Sequence, residues 1–170
     1  PRGSGAAQGI RRTLEAACAA LAKTPKDRGR SLAEVRLLPP VLRPSAIYCA
    51  GANYTDHMLE MARVSGGEPE PDPHSVGLKS WHFIKATGSM TGAGASVALP
   101  AYSKMVDWEA ELAVVIGRPA RTVGIERALD HVAGYTVAND LSARDVMTRE
   151  VKPTSPFRYD WVGQKCFDGA

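Results

Sequence analysis

Residues 106–117 read VDWEAELAVVIG. Side chains alternate along a strand, so Glu109 and Glu111 share one face with Ala113 and Val115. Trp108, Ala110, Leu112, Val114 and Ile116 point the other way. Beyond its first residues the stretch is apolar on both sides, which predicts a strand made for burial. Two glutamates then need explaining. Their Cα atoms stand about 7 Å apart, and burying each ionised carboxylate without a partner costs on the order of several kcal/mol. A divalent cation would remove both the repulsion and that cost. Oxygen-only donors suit Mg²⁺, Mn²⁺ or Ca²⁺ better than zinc. The same spacing is equally compatible with a strand end that emerges into water with both glutamates solvated.

Composition limits the setting of this strand. The chain has 170 residues, 44% of them hydrophobic and 23% charged, an ordinary globular balance with enough length for one sizeable core. A net charge of +3 is too small to argue for a nucleic-acid or membrane-surface partner. Cys18, Cys49 and Cys166 form no CxxC or Cys/His cluster, which points to a reducing compartment and hence the cytoplasm. No apolar run approaches the roughly 20 residues that span a bilayer. The opening Pro-Arg-Gly-Ser resembles a tag remnant, so residues 1–43 are read as that remnant plus an N-terminal helix and strand region. Residues 44–170 are read as the catalytic unit.

Along the chain, Ile10, Leu14, Cys18 and Leu21 recur at helical spacing and predict a helix over residues 8–23. "AEVRLLP" and "SAIYCAG" read as short strands joined by a Pro-rich link. A short helix is expected at 55–63. Residues 64–79, rich in Gly, Pro and acids, read as a solvated loop. "WHFIKA" and "YTVAND" read as strands, and "TGSMTGAGASVALP" as Gly-rich loops around a short strand. "IERALDHVAGY" and "SARDVMTRE" read as helical, and "WVGQKCFDGA" as the start of a further strand. No repeat and no phosphate-binding glycine loop is present. Short strands outnumber helices, so the fold class is α+β, mainly β, with an antiparallel or mixed sheet.

Two further segments carry chemistry. In "YTVANDLSARD" (135–145), Asp140 follows an apolar strand and precedes an expected helix. Asn139, Asp140 or Ser142 would serve equally well as a helix cap. Arg144 falls four residues after Asp140, near it on a first helical turn. A carboxylate-bound metal beside a guanidinium would seat a substrate that chelates the metal and carries its own carboxylate. In "YTDHMLEM" (54–61), His57 and Glu60 share a helical face. A carboxylate beside a histidine orients the ring and raises its basicity for general-base catalysis. Such pairs are also common as plain surface contacts. This one borders the long loop, where a lid would hinge.

In combination these segments resemble one family. "IYCAGANYTDHMLEM", "HFIKATGSM", "VDWEAELAVVIGRPAR", "ALDHVAGYTVANDLSARD" and "GQKCFD" follow the order and spacing of the fumarylacetoacetate hydrolase (FAH) superfamily over about residues 45–168. The pairing of D-x-E-x-E-L with G-Y-T-x-x-N-D-x-S-A-R-D is the most specific part. The resemblance implies a mixed β-roll with short peripheral helices and one divalent metal, commonly Mg²⁺, held by Glu109, Glu111 and Asp140. It implies His57 as catalytic base with Glu60 as its partner, Arg144 as a substrate-binding residue, and Lys165 as a contact to substrate or developing enolate. Lys85, in an F-x-K motif, is implied at the pocket wall. Met147 stands where many members have Gln, which leaves the substrate class open. Family chains continue past the K-S-F-D motif, whereas this chain stops at Ala170, so the resemblance implies a roll incomplete at its C-terminus.

The activity this implies is metal-dependent hydrolysis of a C–C bond in an acylpyruvate or related β-diketo or 2-oxo acid, a small-molecule substrate, by a homodimer. Oxaloacetate decarboxylation, isomerisation of a dienoic diacid, and lyase or dehydratase chemistry on sugar acids are alternatives on the same site. An inactive metal-binding module is the alternative of another class.

Overall fold

The structure, a computed structural model, describes residues 15–25 and 28–170. The tag-like opening and residues 8–14 of the expected N-terminal helix lie outside them. Residues 15–23 are helical, as expected for that Ala-rich stretch, and are termed α1. The remaining elements are β1 (Ile47–Ala50), α2 (Thr55–Ser65), β2 (His82–Lys85), β3 (Val106–Asp107), β4 (Ala110–Ile116), β5 (Val132–Asn139), β6 (Ser142–Ala143) and α3 (Trp161–Lys165), with 3₁₀ turns between them. Among the described residues the strands form three antiparallel pairs, β1 with β2, β3 with β6 and β4 with β5.

The stretch 106–117 is not one continuous strand. The Trp108 N–H donates to Asp107 Oδ1 (2.9 Å) and the Glu109 N–H to Asn139 Oδ1 (3.1 Å). Side chains thus take the backbone donors that a continuous ladder would need, and the chain steps from one sheet to another. Its partner steps at the same level. β5 ends at Asn139 and β6 begins at Ser142, so Asp107 pairs with Ser142 while Ala110 pairs with Asn139. The Asp140 N–H closes this double crossover by donating to the Glu109 carbonyl at 2.9 Å. At the far end, β4 shifts register between Val115 and Ile116. Gly117 follows, where a Cβ would come within 2.7 Å of the Ala133 Cβ.

The two faces of β4 differ, which corrects the expectation of a strand buried on both sides. Glu109, Glu111, Ala113 and Val115 are half-buried, whereas Trp108, Leu112, Val114 and Ile116 are exposed. Tyr135 and Val137 of β5 extend that exposed apolar face, Val137 to 81% exposure. The best-buried apolar residues are Ala62, Ala143 and Phe167.

Helix α2 runs two residues past its expected end. Gly66 at φ 71° donates back to the Ala62 and Arg63 carbonyls, and Arg63 lies in the last turn, where a cation meets the negative end of the helix dipole. The following loop is exposed throughout, interrupted by a 3₁₀ turn at Pro73–Val76. Of "IERALDHVAGY", expected to be helical throughout, Ile125–His131 form a 3₁₀ helix and the remaining residues begin β5.

Four sequence expectations are corrected. "AEVRLLP" forms no strand. Ser31 caps a 3₁₀ turn at Leu32–Glu34, and Pro39 and Pro40 lack the N–H groups a ladder needs. The stretch 87–100 holds a 3₁₀ turn at Thr87–Ser89 and no strand. "SARDVMTRE" begins as strand β6 and continues as a 3₁₀ turn at Arg144–Val146, because Ser142 and Ala143 find ladder partners in β3. "WVGQK" is helical rather than extended. The Asp160 carboxylate accepts from the Gly163 N–H at 2.8 Å and so caps α3.

Candidate active site

The double crossover determines what gathers around it. Asp140 lies in the two-residue gap between β5 and β6, and Glu109 in the gap between β3 and β4. Lys85 ends β2, and Lys165 ends α3. All four side chains converge. The Lys85 ammonium donates to Asp140 Oδ1. Lys165 donates to Asp140 Oδ2 at 2.8 Å and to Glu109 Oε2 at 2.9 Å. Asp140, Lys85 and Lys165 are only 8%, 5% and 4% exposed, so three charges meet almost out of water. Burial acts to raise the Asp140 carboxyl, but the hydrogen bonds from Lys165 and Lys85 outweigh it and hold the group below its usual value.

Arg144 completes the ring from the other side. Its Nε and Nη2 each lie 3.0 Å from Asp107 Oδ2, and Nη2 reaches Glu109 Oε1 at 2.5 Å. The Ser142 hydroxyl donates to the same Glu109 oxygen at 2.9 Å. The expected proximity of Arg144 to Asp140 on a helical turn is therefore replaced. Residues 142–143 are extended, and the guanidinium points to Asp107 and Glu109. Lys85, expected at the wall, stands at the centre.

Glu111 differs from its neighbours. Among the described residues its carboxylate shows no hydrogen bond or ion pair, although its backbone belongs to the β4–β5 ladder. Burial, then the charges of Glu109 and Asp140, push its carboxyl above the usual value, with Lys165 and His57 opposing. A carboxylate without a cation partner beside two others is a hard oxygen donor. That is the chemistry of a hard-cation donor set, and Glu109, Glu111 and Asp140 fit it in donor type. In this conformation the Lys85 and Lys165 ammonium groups hold oxygens of Asp140 and Glu109. Among the described residues no three acidic, His or Cys side chains are already gathered as a metal cage.

His57 and Glu60 lie one turn apart on α2, both exposed. His57 is within electrostatic reach of Glu111, and no hydrogen bond joins it to Glu60 among the described contacts. The dyad thus borders the cluster without entering it. Cys49, in register with Phe83 across β1 and β2, lies within electrostatic reach of Asp140, Lys85 and Lys165. Burial, then the Asp140 charge, push its thiol up to about 11, which leaves it protonated and unreactive near neutrality.

Sequence reasoning did not assign roles to Asp107, Ser142 or Cys49. Asp107 was legible in principle, since it continues the odd-numbered acidic face of 107, 109 and 111. Ser142 was weighed only as a cap. Cys49 carries no local signal, because only the pairing of β1 with β2 brings it here.

Residues 46–170 match the family described as fumarylacetoacetate (FAA) hydrolase C-terminal. The chain is 39% identical over 154 residues to maleylpyruvate hydrolase of Aquipseudomonas alcaligenes, covering 88% of this chain and 53% of that protein. It is 42% identical over 136 residues to human mitochondrial oxaloacetate tautomerase FAHD2A, covering 79% and 38%. Among solved structures it resembles the fumarylacetoacetate hydrolase of psychrophilic Exiguobacterium antarcticum, with a TM-score of 0.59 and 32% identity over 86% of this chain and 47% of that one. The chain spans about a third to a half of the length of the curated relatives it matches. No helix among the described residues is long and apolar enough to cross a membrane. With more than two thirds of its length matched in sequence and the same α+β, mainly β architecture, the chain belongs to the fumarylacetoacetate hydrolase family.

Proposed function

We propose that residues 44–170 form the catalytic unit of a divalent-metal-dependent hydrolase that cleaves a C–C bond in an acylpyruvate or related 2-oxo acid. One observation carries this reading. The buried Asp140, the half-buried Glu109 and the cations Lys85, Lys165 and Arg144 converge at a single crossover, with a histidine of α2 in electrostatic reach of Glu111. Glu109, Glu111 and Asp140 would hold Mg²⁺, with Mn²⁺ or Ca²⁺ as substitutes. A bound cation supplies polarisation of the 2-oxo carbonyl and stabilisation of negative charge.

The chain's own residues account for the rest. Arg144, a planar fork already engaged with carboxylates, is suited to the substrate carboxylate. His57 takes a proton from water, and the resulting hydroxide adds to the distal carbonyl carbon. The C–C bond breaks with its electron pair moving into the pyruvate enolate, whose carbon is then protonated by the imidazolium. Glu60 orients the ring. Lys165 offsets the negative charge developing on substrate oxygen, and Lys85 lies alongside it. A reducing, cytoplasmic setting is the location proposed, and a homodimer the assembly.

A second reading rests on a specific similarity. The human relative at 42% identity is named an oxaloacetate tautomerase, and enolisation uses the same carboxylate-and-cation centre without an attacking water. Decarboxylation of oxaloacetate, isomerisation of a dienoic diacid and lyase chemistry on a sugar acid fall under this reading too. Assays of the protein with acylpyruvates and with oxaloacetate, each with and without Mg²⁺, separate the readings. Acid release from an acylpyruvate supports hydrolysis, and loss of enol absorbance from oxaloacetate alone supports tautomerisation. Mg²⁺ binding without turnover of either substrate would leave an inactive metal-binding module.

A further inference from the structure

Two elements that deliver ammonium groups to the crossover are aromatic at their other ends. On β2, Trp81 precedes the strand and shares its face with Phe83 and Lys85, at successive second positions. On α3, Trp161 and Lys165 are four apart and share a helical face. The two gradients run side by side. Trp81 and Trp161 have ring centroids 5.0 Å apart, Trp81 and Phe83 5.6 Å, and Phe83 and Trp161 5.9 Å at only 20° between planes. The Lys165 ammonium lies over the Phe83 ring, 5.2 Å from its centroid. An aromatic surface therefore begins at the charged centre and leads outward from it.

The outer end of this surface is fixed by a glycine. Gly51 follows β1 and donates its N–H to the Trp81 carbonyl at 3.1 Å. A Cβ at Gly51 would fall 1.8 Å from Trp81 Cζ3, so the indole approaches the backbone this closely only because no side chain is there. Trp81 remains 47% exposed and Phe83 and Trp161 half-buried. This is too open for sealed packing and well placed for contact with a ligand that starts at Lys165.

We propose that Trp81, Phe83 and Trp161 seat a flat, apolar distal arm of the substrate, an aryl or conjugated group attached beyond the 2-oxo acid head. The proposal rests on the 2-oxo acid reading given above and adds the class of substituent. Offset stacking on such rings favours planar arms over short aliphatic or charged ones.

The test uses the full chain with Mg²⁺ and follows intrinsic tryptophan fluorescence during titration with pyruvate, oxaloacetate and phenylpyruvate. Phenylpyruvate is expected to bind about tenfold more tightly than pyruvate and to quench the signal more. Trp81→Ala and Gly51→Ala should each remove that advantage while pyruvate affinity stays within about twofold of its starting value. Trp81→Phe should restore most of the advantage. The retained pyruvate binding shows that each variant is folded. If pyruvate binds but the phenyl group brings no advantage, or Trp81→Ala weakens both ligands equally, the aromatic seat is overturned and the cluster is packing only. If no 2-oxo acid binds at all, the functional reading falls and the proposal falls with it.

Discussion

Lys165 donates to Asp140 across 2.8 Å with both side chains almost fully removed from water. Lys165 also reaches Glu109, whereas Lys85, which holds the other oxygen of Asp140, has no second carboxylate partner among the described residues. Deleting the Asp140 carboxylate should be costly. Asp140→Ala is expected to destabilise the fold by about 3–5 kcal/mol in urea denaturation, because it strands the Lys85 ammonium and leaves Lys165 with Glu109 alone. Asp140→Leu combined with Lys85→Met should recover part of the loss, since the second change removes one stranded charge. The pH dependence has a defined sign. The folded carboxyl is held low, so its contribution is present above the unfolded value of about 3.9 and is lost as pH falls through the lower folded value. A double variant no more stable than Asp140→Ala alone would contradict this account.

The metal prediction turns on Glu109 and Glu111. Glu109 already shares its oxygens with Arg144, Ser142 and Lys165, whereas Glu111 shows no such partner. Glu109→Ala and Glu111→Ala should each abolish Mg²⁺ binding in calorimetric titration. Removing Mg²⁺ from the unaltered protein should abolish turnover, with recovery on adding the ion back. Full turnover after exhaustive EDTA treatment would end the metal reading.

Asp160 supports the site at one remove. It caps α3 through the Gly163 N–H and pairs with Arg149 Nη2 at 2.6 Å, and α3 carries Lys165. The Arg149 hydrogen bond, then the Gly163 N–H, hold its carboxyl below the usual value. Asp160→Ala should cost about 1 kcal/mol and lower Tm, while Asp160→Asn, which retains a capping oxygen, should cost less. The carboxylate's contribution is present above about pH 3.9 and fades as pH falls through the lower folded value. Equal losses in the two variants would assign the effect to Arg149 instead of the cap.

Local pattern revealed the strand alternation of 109–115 and helix α2, because both depend on neighbours in sequence. The break at Trp108 and Glu109 was hidden, since it arises from Asn139, thirty positions away, taking the Glu109 N–H. The helical turn at 161–165 was misread because Trp and Val favour strands, and Asp160 outweighs them as a cap. At the site, residue types were legible and partners were not. Arg144 was expected beside Asp140 and lies against Asp107 and Glu109, a consequence of the pairing of β3 with β6 that no local spacing encodes. The aromatic surface on β2 and α3 likewise exists only once those two elements are side by side.

The His57 and Glu60 dyad separates hydrolysis from its nearest rival. Hydrolysis needs a base to take a proton from water, whereas decarboxylation of oxaloacetate leans on the carboxylate-and-cation centre. His57 is exposed on α2, at the border of that centre and within electrostatic reach of Glu111, so it can be removed without disturbing the buried charges. His57→Ala should lower kcat for an acylpyruvate by about 10²-fold or more if the imidazole is the general base, with a smaller loss on oxaloacetate. Glu60→Gln should show the same order of effects at reduced size, because it orients the ring and does not itself take the proton. Mg²⁺ affinity, titrated in parallel, should stay near its original value in both variants, since neither residue belongs to the proposed donor set. Equal small losses on both substrates would reduce the dyad to a surface pair. Lost Mg²⁺ binding in His57→Ala would move the metal toward α2 and overturn its placement at Glu109, Glu111 and Asp140.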